Sequence, residues 1–253
     1  MRNPDIALIL AAAGVGSRLG GSEPKQFLEL ENWPLYMWSV VSFGINPSIS
    51  RIVIVTQKTN IVSMESRLKK ELSVLNLERV LAKVSIIEGG ASRQESVYKG
   101  LLSLEEFSPD FVLVHDAARP FISQTSINRV IEATTEYGAA IPGFRVTDTI
   151  KKVEDSTVVS TLDRTELMNA QTPQGSKFKW LLAGHKNALR KSLEVTDDSS
   201  ILEAENRPVR VVEGESTNIK ITVAEDLIIA SILAKKHYGQ INALIKAKNN
   251  LRS

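Results

Sequence analysis

At 253 residues, with 43% hydrophobic and 24% charged side chains, the chain has the composition of a folded protein with one large or two small domains. Its 31 basic and 29 acidic residues leave a net +2, which gives no field for a nucleic acid partner. The absence of cysteine excludes a disulfide framework, a thiolate nucleophile and a cysteine zinc site, and no apolar run reaches the ~18 residues of a membrane span.

Asp5 stands where a signal peptide would begin its apolar run, and no small-residue cleavage pattern follows, so a cytoplasmic location is expected. Four aliphatic runs, Ile6 to Leu10, Arg51 to Val55, Val84 to Ile87 and Phe111 to Val114, read as strands buried on both faces. Their hydrophobicity is continuous rather than alternating. Helices are expected between them at Leu35 to Phe43 behind Pro34, at Val62 to Leu75, and at Ser92 to Leu104, where Ser92 and Glu95 make a capping box. This alternation predicts right-handed βαβ units and a doubly wound, mostly parallel α/β sheet.

After residue 140 the rhythm changes. Thr149 to Val153 and Val158 to Thr161 flank the polar turn Glu154 to Thr157, which predicts a hairpin with two polar faces, an arm projecting over about 147–162. Helices at Lys177 to Leu193 and Asp198 to Asn206, strands at Val209 to Glu213 and Ile219 to Thr222, and a helix at Val223 to His237 complete one expected domain, 1–238. The basic remainder, 239–253, is expected as a helical or partly ordered tail.

The first strand runs into Ala11-Ala12-Ala13-Gly14-Val15-Gly16-Ser17-Arg18-Leu19-Gly20, and Pro24-Lys25-Gln26 comes soon after. Small residues at the carboxyl end of a strand let backbone N–H groups approach an anion, which makes Ala12, Ala13, Gly14 and Gly16 candidate nucleotide contacts. A Walker A loop would need a Gly-Lys-Ser/Thr triplet, which is missing. A dinucleotide fingerprint would need Gly or Ala at Leu19 and an acid near Thr56 and Gln57. Arg18 and Lys25 suit instead a triphosphate attacked at its α-phosphorus, where negative charge builds on the reacting centre and on the departing pyrophosphate.

Gly89 and Gly90, with the Ser96 hydroxyl, offer short and rigid groups for a base edge. Asp116 ends a central strand, where doubly wound folds bind ligands, and a carboxylate there suits Mg²⁺ shared with phosphate oxygens. His115 reads as structural.

Ala12-Ala13-Gly14, Gly16, Arg18 and Pro24-Lys25-Gln26 resemble the signature loop of nucleotidyltransferases, with the Pro-Lys-Gln ending of cytidylyltransferases. The stretches Gly89-Gly90 to Ser96, His115-Asp116-Ala117-Ala118-Arg119-Pro120, Val146-Thr147-Asp148-Thr149, Leu162-Asp163-Arg164, Gln171-Thr172-Pro173-Gln174, Thr196-Asp197-Asp198 and Asn218-Ile219-Lys220 continue it. Together they resemble the 2-C-methyl-D-erythritol 4-phosphate cytidylyltransferase family, in its order, from residue 8 to about 228.

The resemblance implies a Rossmann-like nucleotidyltransferase sheet, CTP and a polyol phosphate as substrates, and Mg²⁺ or another divalent cation. It implies a homodimer in which residues after the arm reach the neighbour's site. Arg18, Lys25, Arg164 and Lys220 are then catalytic. Gly89, Gly90, Ser96 and Ala117 join the loop in holding the nucleotide. Asp116, Arg119, Thr149, Arg164, Thr172 and Lys220 contact the acceptor, and Asp116 the metal. Asp197 or Asp198 reads first as a helix N-cap and more remotely as a second ion contact.

Ribitol-5-phosphate cytidylyltransferase is the nearest alternative; Ala118 and Leu162-Asp163-Arg164-Thr165 look more like the methylerythritol enzymes. A catalytically dead nucleotide-binding protein is expected to have lost Lys25, Asp116 or Lys220, all of which are present. The arm entry Ile141 to Val146 departs from the family's usual spacing, and Thr217 stands where some members carry an acid.

Overall fold

The computed structural model describes residues 4–14 and 25–250, with the backbone alone at Lys25 and at 248–250. The first half contains β1 (Ile6–Ala11), a 3-10 turn at Lys25–Phe27, β2 (Glu29–Leu30), β3 (Trp33–Pro34), α1 (Leu35–Gly44) and β4 (Ile49–Thr56). Then come α2 (Ile61–Val74), α3 (Glu78–Leu81), β5 (Val84–Glu88), α4 (Arg93–Ser103), β6 (Phe111–Asp116), α5 (Gln124–Tyr137) and β7 (Ala139–Arg145). The arm is β8 (Lys151–Glu154) and β9 (Thr157–Thr161), and the chain ends with β10 (Met168–Ala170), β11 (Gln174–Lys177), α6 (Phe178–Arg190), α7 (Asp198–Ala204), β12 (Arg210–Glu213) and α8 (Ala224–Asn250).

Among the described residues the main sheet has the order β10-β7-β11-β6-β1-β4-β5, with β12 also paired to β7. The parallel core β6-β1-β4-β5 is the one the aliphatic runs predict. Side chains of β1 show why those runs are continuous. Ile6, Leu8 and Leu10 enter a cluster with Trp38, Leu68, Val130 and Ala234, whereas Ala7 and Ile9 pack on the other face with Val97, Leu101, Leu181 and Ile201. Helices cover both faces, so neither face of the strand meets water. On the first face, α5 is capped by Ser123, whose side chain accepts the Ser126 N–H, and ends at Gly138 with φ 91°, a left-handed turn that glycine adopts without steric cost.

β11 and the segment 219–222 differ from expectation. The sheet is interrupted by β11, which runs antiparallel between β6 and β7. Ile219 to Thr222 forms no ladder; its Ile221 N–H donates to Ala118 O at 2.9 Å as the segment passes over the sheet's end.

The arm is present as an antiparallel hairpin whose residues are all exposed, Val153, Val158 and Val159 at 52, 57 and 52%. At the other end, α8 runs unbroken across residue 239. His237, Ile241 and Ile245 recur every four residues on its buried face, and the Tyr238 ring meets Trp33 edge-on at 5.2 Å. None of the described helices is long and apolar enough to cross a membrane.

Candidate active site

The parallel register ends Ala11 of β1 beside Asp116 of β6 and Val55 of β4. Backbone bonds carry the order one step further, Ala117 N–H to Ala11 O at 3.1 Å and Ala12 N–H to Val55 O at 2.8 Å. The chain then diverges, and a cavity of about 400 Å³ opens at this carboxyl edge. Its wall brings together Ala12, Ala13, Gly14, Gly90, Ser96, Asp116, Ala117 and Lys220.

Gly89 lies immediately behind that wall. A Cβ there would stand 2.8 Å from the Ala13 Cβ and 2.9 Å from Ser96 Oγ, so only glycine lets the β5–α4 loop close on the end of β1. Ser96 Oγ accepts the Gly90 N–H at 3.0 Å and donates to Ser92 O at 2.8 Å. Ser92 caps α4, taking the Glu95 N–H, while the Glu95 carboxylate takes the Ala91 N–H one residue before the cap. The loop is thus held by its own short side chains.

Asp116 is the electrostatic centre. Its Oδ2 lies 2.7 Å from Lys220 Nζ and its Oδ1 2.9 Å from Arg93 Nε. The same guanidinium reaches on through Nη2 to Asp198 Oδ2 at 2.8 Å, and Asp198 Oδ1 stands 3.6 Å from His185 Nε2. Burial alone would raise both carboxyls. The facing cations outweigh it, Arg93 and Lys220 at Asp116 and chiefly Arg93 at Asp198, and both acids are held below the ordinary carboxylate range. The Arg93 guanidinium is correspondingly pushed up by its two aspartates, against its own burial.

A buried polar layer supports this centre. Thr172 Oγ1 accepts the Asp116 N–H at 3.2 Å and hydrogen-bonds His115 Nδ1 at 2.9 Å; His115 Nε2 meets Arg119 O at 3.0 Å. Burial pushes His115 down to about 4, so the ring is neutral and structural near neutral pH. Arg119 Nη1 donates to Asn218 O at 2.8 Å, and Asn218 Nδ2 donates to Thr172 O at 2.9 Å. Arg119 and Thr172 therefore stand behind the cavity, tying the strand that carries Asp116 to the segment that carries Lys220.

Other expected residues lie apart. Thr149 and Arg164 flank the hairpin, and neither lines this cavity; Arg164 is exposed and its Nη1 donates to Thr147 O at 2.6 Å. Gly16, Arg18 and the Lys25 side chain fall outside the described residues. Asp197 is the N-cap of α7, its Oδ1 accepting the Ser200 N–H at 3.0 Å, while Asp198 is the partner of Arg93.

Arg93 has no role that the sequence alone assigns, although a signal was present. It is the first residue of a helix, where the macrodipole disfavours a cation unless acids face it. Among the described residues no group of three or more His, Asp or Glu side chains could hold a metal ion. Among the described residues Asp116 is the single carboxylate on the wall. One or two carboxylates sharing an ion with substrate phosphates is the usual arrangement for Mg²⁺; Asp116 offers one, each of its oxygens keeping a lone pair beside the cation it already holds.

The family model described as 2-C-methyl-D-erythritol 4-phosphate cytidylyltransferase matches residues 6–236. A protein of that name from Clostridium novyi is 42% identical over 221 residues, covering 87% of this chain and 92% of the relative. One from Geobacillus thermodenitrificans is 38% identical over 229 residues, 90% of this chain and 96% of the relative. The crystal structure of the Thermus thermophilus protein of the same name superposes with a TM-score of 0.72 at 32% identity, covering 90 and 98% of the two chains. That of 4-diphosphocytidyl-2C-methyl-D-erythritol synthase from Anaerococcus prevotii gives 0.77 at 30%, covering 92 and 100%.

Proposed function

The chain belongs to the 2-C-methyl-D-erythritol 4-phosphate cytidylyltransferase family, and we propose how its residues divide the work of the family's reaction. It is a nucleotidyltransferase that moves a cytidylyl group from CTP to 2-C-methyl-D-erythritol 4-phosphate, releasing pyrophosphate, in the isoprenoid precursor route.

CTP lies along the carboxyl edge. Its base faces Gly89, Gly90 and Ser96, and its phosphates lie over Ala12, Ala13, Gly14 and Gly16. Arg18 and Lys25 neutralise the charge that builds on the departing pyrophosphate. Lys220, fixed by Asp116, does the same at the α-phosphorus. The acceptor's phosphate oxygen is already ionised near neutral pH, so no base is needed; positioning and charge stabilisation carry the rate. The neutral, walled-off His115 agrees with that. Mg²⁺, held by Asp116 and the phosphates, would supply further neutralisation of the triphosphate.

The acceptor's phosphate is clamped by Arg164, with Thr149 nearby, both from a second copy of the chain. What supports this is the arm itself: an isolated two-stranded hairpin with exposed valines is marginal in water, and a C2 partner would cover it.

The observation that carries the reading is the 2.7 Å pairing of Lys220 with Asp116 in the same cavity wall as the small-residue stretch Ala12 to Gly14. The test is pyrophosphate release. It should require CTP together with 2-C-methyl-D-erythritol 4-phosphate; release with ribitol 5-phosphate in its place, or with CTP alone, contradicts the reading.

A further inference from the structure

Gln26 follows the loop lysine directly and is only 5% exposed, yet it lines the same cavity as Gly14, Asp116 and Lys220. Its amide nitrogen Nε2 is buried and has no hydrogen-bond partner among the described residues. The other polar side chains of this wall are all engaged. Gln57 Nε2 donates to Ala13 O at 3.4 Å, Ser92 caps α4, Ser96 bridges Gly90 and Ser92, and Arg93, Asp116 and Lys220 form the ion network.

A buried donor without an acceptor bears the full cost of its desolvation, and folded proteins rarely keep one without a use. Within the free protein the group is a liability. On this wall Asp116 is already paired with Arg93 and Lys220, two cations against one carboxylate, so an acceptor for Gln26 that arrives with an anionic ligand is favoured there. Lys25, one residue earlier, belongs to the loop that faces the phosphates. We propose that Gln26 is a nucleotide-binding residue whose Nε2 donates to a non-bridging oxygen of the triphosphate. This rests on the assignment of the chain as a nucleotidyltransferase.

Gln26→Met keeps the length of the side chain and removes the donor; Gln26→Glu keeps its shape and sets a negative charge against the phosphates. Both would be measured for melting temperature without ligand, for Mg·CTP affinity by isothermal titration, and for the KM of each substrate. Gln26→Met should melt at or above the parent's temperature and bind CTP about tenfold more weakly, the scale of one hydrogen bond to a charged group, with the KM of the acceptor unchanged. Gln26→Glu should bind CTP more weakly still. A purely structural amide gives the reverse, a lower melting temperature with unchanged CTP affinity, and that result overturns the proposal. If Gln26→Met does not fold, Gln26→Glu decides: weakened CTP binding upholds the proposal, and unchanged binding overturns it. A parent chain that binds no CTP overturns the nucleotide reading itself.

Discussion

Arg93 Nε donates to Asp116 Oδ1 at 2.9 Å, so the first residue of α4 fixes the carboxylate that ends β6. Its other arm neutralises Asp198, which is buried at the start of α7. Arg93→Ala leaves Asp198 with only His185 and takes one of two cations from Asp116. Breaking a buried pair from one side costs about 3–5 kcal/mol, and urea unfolding should show a loss of that order together with reduced turnover. Arg93→Lys recovers only part, because one ammonium does not span two carboxylates. A loss below about 1 kcal/mol in Arg93→Ala contradicts the bridging role.

Arg18→Ala and Lys25→Ala should each lower turnover by about 10²–10³-fold, the scale of one charge contact made in the transition state. Both side chains belong to a glycine-rich loop, so far-UV circular dichroism and melting temperature should stay at the parent's values. Near-normal turnover in either variant removes that residue from the mechanism.

The shared-site arrangement is testable by mixing. Lys25→Ala and Arg164→Ala, unfolded together in equal amounts and refolded, should give dimers of which about half are mixed. One site of each mixed dimer combines an intact Lys25 with an intact Arg164 from the other subunit, so roughly a quarter of parental activity should return. Mixed dimers that remain inactive place Arg164 in its own subunit's site.

His237 is wedged between Trp38 and Phe121, and burial pushes it down to about 4, the same direction and value as His115. Both rings are neutral in the folded chain, whereas the unfolded chain protonates its histidines near pH ~6.5. The unfolded state therefore binds more protons in the window between, and stability is full above it and falls as the pH drops through it. His237→Phe keeps a ring in place and removes one titration. Urea unfolding between pH ~6.5 and ~5 should show a shallower slope, by at most about 1.4 kcal/mol per pH unit. An unchanged slope means that His237 takes up its proton in the folded state.

The parallel core and Asp116 were legible because buried strands leave an unbroken aliphatic run, and an acid that ends such a run contributes nothing to apolar packing. β11 left no such trace. Gln174, Gly175 and Ser176 look like a loop, but all are buried, and a Cβ on Gly175 would stand only 2.1 Å from Thr134 Oγ1, so its composition serves the close approach of α5. α5 did leave a trace, since Ile127, Val130, Ile131 and Thr134 recur at helical spacing behind the Ser123 cap, although no helix is expected there from the aliphatic runs. The Arg93–Asp198 pair was hidden differently: Asp198 reads as an N-cap candidate beside Asp197, Arg93 stands at a helix start far from it in sequence, and only the fold joins the two. The last turns of α8 read as a basic tail because their buried positions, Ile241 and Ile245, are sparse among lysines and asparagines.

The central claim is direct attack by the acceptor's phosphate on the α-phosphorus of CTP. The measurement that meets it most directly uses 2-C-methyl-D-erythritol 4-phosphate labelled with ¹⁸O in its phosphate group, followed by mass spectrometry and ³¹P NMR of the products. All of the label should appear in the cytidine diphosphate alcohol, with ¹⁸O in the bridge between its two phosphorus atoms, and the pyrophosphate should carry none. Labelled inorganic phosphates, or a product whose diphosphate bridge lacks ¹⁸O, would contradict it.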